Sequence, residues 1–344
     1  MISFFSSQHA LHAPEYEYFR GEPVPCFESP QRVEFVKQAL QAQGHELREP
    51  DQDSSPVLPQ IHAAAYLEFL ASAWEQWLAL DANNAQIQAF PSTWPIRSFR
   101  SDKVPENFTA KLGLYSFDNG TPLMAGSWTA AKAGADAAVS AANLLADGEQ
   151  GVFCATRPPG HHAGTDFMGG YCFINNAALA AQALRIHGAS QVAILDVDYH
   201  HGNGTQEIFY KRSDVIFASI HADPMQEYPF YLGHADENGI NQGEGFNLNL
   251  PLARGSDVEQ WFVALETACQ YITKLKADTL VVSLGLDTFA DDPLSSFNLS
   301  SEHFKRLGER LNAMKLPTIF ILEGGYASKQ LGLNAAQVLA GFEQ

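Results

Sequence analysis

Residues 192–204, VAILDVDYHHGNG, constrain the fold more than any other part of the chain. The stretch begins with four apolar residues and continues directly into two carboxylates, two imidazoles and a Gly-Asn-Gly turn. A continuous apolar run of this kind is typical of a strand that is buried on both faces of a parallel sheet. We therefore expect an α/β fold in which this strand ends at a functional site.

Other apolar runs alternate with helical patterns along the chain. Strands are predicted at residues 151–156, 215–219, 279–284 and 317–322, with helices between them. This alternation predicts a largely parallel, multi-stranded sheet with helices on both faces. Three of these strands also lead into polar residues, namely His161 and His162, Asp287, and Tyr326. Because ligands bind at the carboxyl ends of such strands, we expect all four strand ends to share one cleft.

The spacing of Asp198 and His200 predicts a metal site. Residues two apart on an extended backbone direct their side chains to the same face, so both can bind one cation. A carboxylate with an imidazole suits zinc, iron(II) or cobalt better than calcium or magnesium. Asp287 would be a third ligand and would leave a position open for water and substrate, as a catalytic zinc requires. Its alternative role is a helix cap.

Two further groups suit acid–base and oxyanion chemistry. His161 and His162 follow a stiff Pro-Pro-Gly turn, and a tandem of imidazoles at a strand end suits proton transfer near neutral pH. The hydroxyl of Tyr326 could pack in the core, or it could donate to a developing oxyanion opposite the metal.

The composition limits the class of partner. The chain has 344 residues and a formal net charge of −18, which repels nucleic acids and anionic membranes and favours small cationic partners. Four widely spaced cysteines without C-x-x-C spacing indicate neither a disulfide framework nor a cysteine zinc site. The first residues lack a signal-peptide pattern, and no run of about 18 apolar residues is present. We expect a soluble, cytoplasmic protein.

Two segments lack a regular pattern. Residues 1–30 are expected to form a short apolar segment and then a long acidic loop, and residues 81–126 form an irregular, aromatic insertion. An insertion of this length within a compact domain is more often functional or interfacial than a passive linker. We therefore expect one catalytic domain over residues 1–344, with an insertion at about residues 81–126.

The motifs RPPGHHAG, GGYCFINNAA, ILDVDYHHGNGTQ, SLGLDTF and LEGGY resemble those of the zinc-dependent histone deacetylase superfamily. Within it, the N-terminal loop and the insertion are most similar to those of the bacterial acetylpolyamine amidohydrolases. The resemblance implies an arginase/deacetylase-like α/β fold. It also implies hydrolysis of N-acetylated polyamines or diamines to acetate and free amine, with acetyl-lysine in proteins as the alternative substrate.

The resemblance also implies residue roles. Zinc would be held by Asp198, His200 and Asp287. His162 would be the general base and acid, with His161 as an electrostatic partner and Tyr326 as the oxyanion donor. The remaining implied roles are that Asp196 orients His161, that Asn203 orients His162, and that a structural potassium ion lies near Asp196 and Ser219.

The same resemblance implies a substrate tunnel. Its aromatic walls would be Tyr171, which follows Gly170, and Tyr228. Both carry a hydroxyl where the family often has phenylalanine. Acidic residues in the two irregular segments are candidates for attracting the distal ammonium of a cationic acetylated amine, and these are Glu15, Glu17 and Glu106.

In the family, the insertion supports a homodimer that completes the tunnel. We therefore expect residues 81–126 to shape the tunnel and the dimer interface, with Trp94, Phe99 and Phe108 as interface candidates.

Three other readings remain open from the sequence. An arginase-type ureohydrolase would need a second carboxylate two residues beyond Asp287, where this chain has Phe289. A protein deacetylase would share the same catalytic residues and differ at the tunnel mouth. A non-catalytic sensor of acetylated amines is disfavoured because every expected catalytic position is filled.

Overall fold

A computed structural model gives the protein an eight-stranded sheet in which all neighbouring strands are parallel. It describes residues 1–327 and 329–344. The strands are β1 (Ile2–Phe4), β2 (Tyr16–Phe19), β3 (Glu22–Pro25), β4 (Glu46–Arg48), β5 (Gly151–Cys154), β6 (Val192–Asp196), β7 (Val215–Ala222), β8 (Asn247–Leu252), β9 (Thr279–Leu284) and β10 (Thr318–Leu322). Strands β2 and β3 pair as a separate antiparallel hairpin.

Helices fill most of the connections between these strands. They are α1 (Gln31–Ala42), α2 (Ala64–Leu80), α3 (Phe108–Leu114), α4 (Ser127–Ala146), α5 (Asn176–Ile186), α6 (Asn203–Phe209), α7 (Val258–Lys274), α8 (Ser301–Asn312) and α9 (Lys329–Phe342). Among residues 1–327 and 329–344, we find no helix with both the length and the apolar character needed to cross a membrane.

The sheet separates two hydrophobic cores. Along β6, Val192 and Ile194 belong to one core, whereas Ala193 and Leu195 belong to the other. Alternate side chains of a strand point to opposite faces, so a continuously apolar strand must be covered on both sides. Helices α4 and α5 cover the first face, and α1, α7, α8 and α9 cover the second. The predicted α/β architecture with helices on both faces is confirmed.

The strand order explains where the site lies. The order is β4-β1-β5-β10-β9-β6-β7-β8, so β5, β10, β9 and β6 are consecutive in the middle of the sheet. These are the four strands whose ends carry the predicted catalytic and metal-binding residues. Since all four are parallel, their carboxyl ends lie at one edge of the sheet.

The structure corrects both irregular segments. Residues 16–25, expected as a loop, form the β2–β3 hairpin, whose turn residues Arg20 and Gly21 have φ of 53° and 86°. Residues 81–126 contain helix α3 and a short 3₁₀ helix, Ala82–Gln86. Phe108 was expected at a dimer interface, but it is 3% exposed and packs against Phe69 and Trp77 in the core. Phe108 is the first residue of α3, so its ring packs this helix against the core.

Candidate active site

The carboxyl ends of β5, β6, β9 and β10 open into a cavity of about 980 Å³. Most of the predicted site residues line it, and they are Glu17, His161, His162, Gly170, Tyr171, Asp198, His200, Asn203, Tyr228 and Tyr326. The structure therefore brings the four strand ends into one cleft.

Asp198, His200 and Asp287 form a candidate metal centre. One ligand atom of each lies within 4.8 Å of the others. His200 Nδ1 is 3.3 Å from Asp198 Oδ1 and 3.2 Å from Asp287 Oδ2. Among the described residues, the buried Asp287 Oδ2 has no hydrogen-bond partner, as expected of an oxygen that binds a cation. Two carboxylates and an imidazole, converging in a buried place, fit a zinc ion.

Main-chain groups orient these carboxylates. The N–H of Gly324 donates to Asp198 Oδ2 at 2.9 Å, and the N–H of Tyr199 donates to Asp287 Oδ1 at 2.9 Å. A Cβ at Gly324 would lie 2.5 Å from Asp198 Oδ2 and 2.7 Å from Asp287 Oδ2. Only glycine therefore lets the β10 loop approach both candidate ligands so closely.

The two histidines occupy different electrostatic environments. His161 Nδ1 donates to Asp196 Oδ2 at 3.0 Å, and His162 Nδ1 donates to the Asn203 side-chain oxygen at 2.6 Å. Burial alone would lower the pKa of His161, but the carboxylates of Asp198 and Asp196 raise it to about 10. Burial and the imidazoles of His161 and His200 hold the pKa of His162 well below its usual value. A charged His161 beside a neutral His162 follows.

The tautomer of His162 suits a base. With Nδ1 donating to Asn203, the neutral ring carries its free lone pair on Nε2. Gly170 lies directly against this ring, because a Cβ there would be 2.2 Å from His162 Cδ2. Gly170 also has φ of +53°, so a side chain at this position would be strained as well as crowded.

Glu323, a buried residue in the LEGGY motif, holds the turn that carries the histidines. Its Oε2 accepts from the N–H groups of Gly160 at 2.6 Å and His161 at 3.2 Å, and its Oε1 accepts from Ser283 Oγ at 3.3 Å. Burial raises the pKa of Glu323 to about 7. This carboxyl therefore ties β10 to the end of β5.

One wall of the cavity is fixed by Glu17. The hydroxyl of Tyr171 donates to Glu17 Oε1 at 2.9 Å. Glu17 is 4% exposed, and burial raises its pKa. Its other oxygen, Oε2, has no hydrogen-bond partner among the residues described. The β2–β3 hairpin thus brings an incompletely bonded carboxyl to the cavity.

Asp118, which comes from the 81–126 segment, holds another part of the cavity wall. Asp118 Oδ2 accepts from the Tyr228 hydroxyl at 2.6 Å and from the Gly170 N–H at 2.7 Å. Asp118 Oδ1 accepts from Gly120 N–H at 3.1 Å and Thr121 Oγ1 at 3.4 Å. The wall hydroxyls that distinguish this chain are therefore bonded to carboxyls.

Tyr326 follows Gly324 and Gly325 at the cavity. The guanidinium of Arg32 lies 4.8 Å from the centre of its ring, and the edge of Tyr171 approaches the same ring at 5.8 Å between centroids. Arg32 is held by Glu28, at 2.8 Å from Oε1, and donates through Nε to the Gly325 carbonyl at 2.6 Å. The ring of Tyr326 is therefore packed on a buried cation.

Other predicted residues lie outside the cavity lining. Asp196 and Ser219 are fully buried and are paired in register between β6 and β7. The Ser219 hydroxyl is 2.8 Å from His221 Nδ1. Glu15 and Glu106 are exposed, and in the single chain neither lines the cavity. Of the three acids proposed to attract an ammonium group, the structure places only Glu17 there.

Sequence reasoning missed four residues that hold the site, namely Arg32, Asp118, Glu323, and Asp292, whose Oδ2 accepts from the Tyr326 N–H at 2.6 Å. Glu323 and Asp292 had a signal, because each is an acid that closely follows a strand end with a predicted site residue. Asp118 and Arg32 had none, since their roles depend on contacts with residues that are distant in sequence.

A family model described as "Histone deacetylase domain" matches residues 26–342 of the chain. Among similar proteins, acetylpolyamine amidohydrolase 2 of Pseudomonas aeruginosa is 48% identical over 344 residues, which cover 100% of this chain and 99% of that protein. Acetylpolyamine amidohydrolase of Mycoplana ramosa is 41% identical over 342 residues, covering 99% of each.

The fold is also similar to a solved structure. A crystal structure of acetylpolyamine aminohydrolase from Burkholderia pseudomallei superimposes with a TM-score of 0.95 at 36% identity, covering 99% of this chain and 98% of that one. The superposition thus covers almost the whole of both chains. This chain therefore belongs to the histone deacetylase family.

Proposed function

We propose that the protein is a zinc-dependent amidohydrolase that removes the acetyl group from N-acetylated polyamines or diamines. The observation that carries this proposal is the Asp198–His200–Asp287 cluster with two histidines beside it, of which His161 is bonded to the Asp196 carboxylate and His162 to the Asn203 amide. An imidazole paired with a carboxylate suits electrostatic stabilisation, and one paired with a neutral amide suits proton transfer. The names of the full-length relatives support an acetylated polyamine as the substrate.

Asp198, His200 and Asp287 would hold the zinc ion. When bound there, zinc polarises a carbonyl group and lowers the pKa of a water molecule towards neutrality. Every other step falls to side chains of the chain. His162, through Nε2, would accept a proton from the attacking water and later deliver it to the leaving amine. Acetate and the free amine are the products.

The tetrahedral transition state carries negative charge on the former carbonyl oxygen. Tyr326 would donate a hydrogen bond to this oxygen, and the positive charge on His161 would stabilise it from the side of His162. Asp196 orients His161, and Asn203 sets the tautomer of His162. In these assignments His162 transfers the proton throughout the reaction, and His161 provides only electrostatic stabilisation.

Glu17 is the residue that favours a cationic amine. Glu17 lines the cavity, and the Tyr171 hydroxyl holds its carboxyl there. The distal ammonium of an acetylated diamine would be attracted to this carboxyl and would favour its charged form, which burial alone disfavours. The formal charge of −18 would assist the approach of such a substrate.

Two further features belong to this proposal. Asp196 and Ser219 would contribute to a structural potassium site between β6 and β7. The chain would act as a homodimer through the 81–126 segment, because Trp94, Ile96 and Phe99 are 37%, 60% and 63% exposed. Light scattering of the wild type and of Phe99→Glu tests the homodimer. Activity measured in potassium-containing and in potassium-free buffer tests the potassium site.

The substrate is tested by initial rates of the zinc-loaded protein on an N-acetylated diamine and on an acetyl-lysine peptide at matched concentrations. Faster turnover of the diamine is expected, because Glu17 offers its charge inside the cavity. Faster turnover of the peptide would instead assign the chain to the protein deacetylases. Inactivity on both would overturn the proposed reaction.

A further inference from the structure

Tyr326 stands on a loop that has little conformational restraint of its own. It follows Gly324 and Gly325, and Gly325 has φ of +123°, a conformation that side chains rarely adopt. Residues 323–326 form neither helix nor strand. A phenol that must meet a developing charge requires a more exact position than such a loop gives by itself. Contacts from elsewhere must therefore hold it.

Asp292 supplies the contact on the main chain. Its Oδ2 accepts from the Tyr326 N–H at 2.6 Å, and its Oδ1 accepts from the Leu294 N–H at 3.0 Å. Asp292 is 5% exposed, and its own N–H donates to the Phe289 carbonyl at 3.0 Å. One buried carboxyl thus connects the loop after β9 with the loop after β10.

The position of Asp292 is fixed by the same loop that carries a candidate metal ligand. Asp287 lies five residues before it, and the N–H of Leu286 donates to the Gly324 carbonyl at 3.0 Å. The loops after β9 and β10 are therefore joined at two places, at Gly324 and at Tyr326 itself. Arg32 then restrains the aromatic ring from a third side.

We propose that Asp292 is a positioning residue, whose carboxyl fixes the main chain of Tyr326 so that its hydroxyl meets the oxyanion. This inference rests on the proposed function, because it requires Tyr326 to act in the reaction. Asp292 itself is not required to contact the reacting atoms, and its proposed role is to place the Tyr326 hydroxyl.

Asp292→Asn tests this role. In asparagine an NH₂ group replaces one of the two acceptor oxygens, so the N–H of Tyr326 or of Leu294 loses its acceptor and faces a donor instead. We expect kcat on an N-acetylated diamine to fall by about 10- to 100-fold. KM and the zinc content per chain should stay near the wild-type values. Asp291→Asn is the matched control, because Asp291 is the exposed neighbour and should retain wild-type kcat.

Two more variants separate positioning from charge and from folding. Asp292→Glu keeps the negative charge but displaces both acceptor oxygens, so it should also lose kcat. In a Tyr326→Phe background, Asp292→Asn should change kcat by less than about twofold, since the group being positioned is already absent. A lower melting temperature alone, with full kcat, would overturn the proposal.

The outcomes also separate this inference from the proposed function. Equal losses from Asp292→Asn in both backgrounds would show that Asp292 acts elsewhere. Wild-type turnover by Tyr326→Phe would overturn the oxyanion role in the proposed function itself. A loss in Tyr326→Phe together with full turnover by Asp292→Asn would overturn only the positioning role.

Discussion

The hydroxyl of Tyr228 donates to Oδ2 of Asp118 at 2.6 Å. Phe117 stacks on the Tyr228 ring, with 5.7 Å between centroids. Phe117, Asp118 and Tyr228 all line the cavity. The bond joins two loops that are 110 residues apart in sequence. The 81–126 segment is therefore bonded directly to Tyr228 in the cavity wall.

Removing this bond should destabilise the fold. Tyr228→Phe leaves Asp118 with fewer donors, and burial already raises the pKa of this carboxyl. We expect a loss of about 1 kcal/mol in the free energy of unfolding, measured with urea. Tyr231→Phe is the control, because Tyr231 is 87% exposed and should unfold like the wild type. Equal midpoints for all three proteins would contradict a structural role for the bond.

Glu17→Gln should weaken binding of cationic substrates. Glutamine can still accept the Tyr171 hydroxyl, but it has lost the charge that attracts an ammonium group. We expect KM for a monoacetylated diamine to rise about 10-fold, with kcat preserved. KM for an uncharged N-alkylacetamide should not change. Glu15→Gln, at an exposed acid, is the control, and an equal rise in both variants would point to a general charge effect.

Tyr326→Phe should reduce kcat by about 10²–10³, the usual loss for one oxyanion donor. The ring and its contact with Arg32 remain, so zinc content and melting temperature should match the wild type. Steady-state kinetics on an acetylated diamine provide the measurement. Wild-type kcat would exclude the hydroxyl from the reaction.

Removal of the metal should abolish activity and lower stability. Without a cation, the carboxyls of Asp198 and Asp287 face each other in a buried site, and a metal that binds only the folded state stabilises it. A chelator should therefore lower the melting temperature, and added zinc should restore both properties. Asp287→Asn should reduce zinc content, whereas Asp291→Asn should not. Full activity after complete zinc removal would refute the metal assignment.

Acid should destabilise the fold through His62. Its Nδ1 donates to the Gly164 carbonyl at 2.8 Å, and its Nε2 accepts from the Asn175 N–H at 3.0 Å, so the ring is neutral. Burial lowers its pKa to about 4, from the ordinary value of 6.5. Above pH 6.5 neither the folded nor the unfolded state binds a proton at this ring. Between pH 6.5 and about 4 only the unfolded state does, so stability falls as the pH falls.

The size of this effect follows from the pKa difference and is about 3 kcal/mol at most. Unfolding free energies of wild type and His62→Gln, measured from pH 7.5 to 4.5, test it. The variant should be less stable at neutral pH and should lose less on acidification. His187→Gln changes an exposed histidine and should follow the wild-type profile. Parallel profiles for wild type and His62→Gln would exclude this titration.

The site could be predicted from sequence where its residues follow a buried strand. Asp198 and His200 follow β6 in a bend, and Asp287 follows β9, so the parallel sheet suffices to bring them to the same edge. Asp118 could not be predicted, because nothing in its neighbourhood shows that Tyr228 and Gly170 lie beside it.

The fold was predictable to a similar extent. The long apolar strands have a clear pattern, but β1 and β4 have only three residues each, too few to show periodicity. The β2–β3 hairpin was missed because Pro23 and Pro25 argue against a strand. As an isolated pair, it needs no ladder bonds on its outer edges.

Strand β10, near the end of the chain, lies between β5 and β9 in the middle of the sheet. During synthesis, β4-β1-β5 and β9-β6-β7-β8 can each pair before residues 318–322 have emerged from the ribosome. Each half then has an open inner edge, at β5 or at β9, that can pair with another chain. Insertion of β10 closes both inner edges and brings Tyr326 to the strand ends in the same step, so the strand that completes the sheet also completes the site.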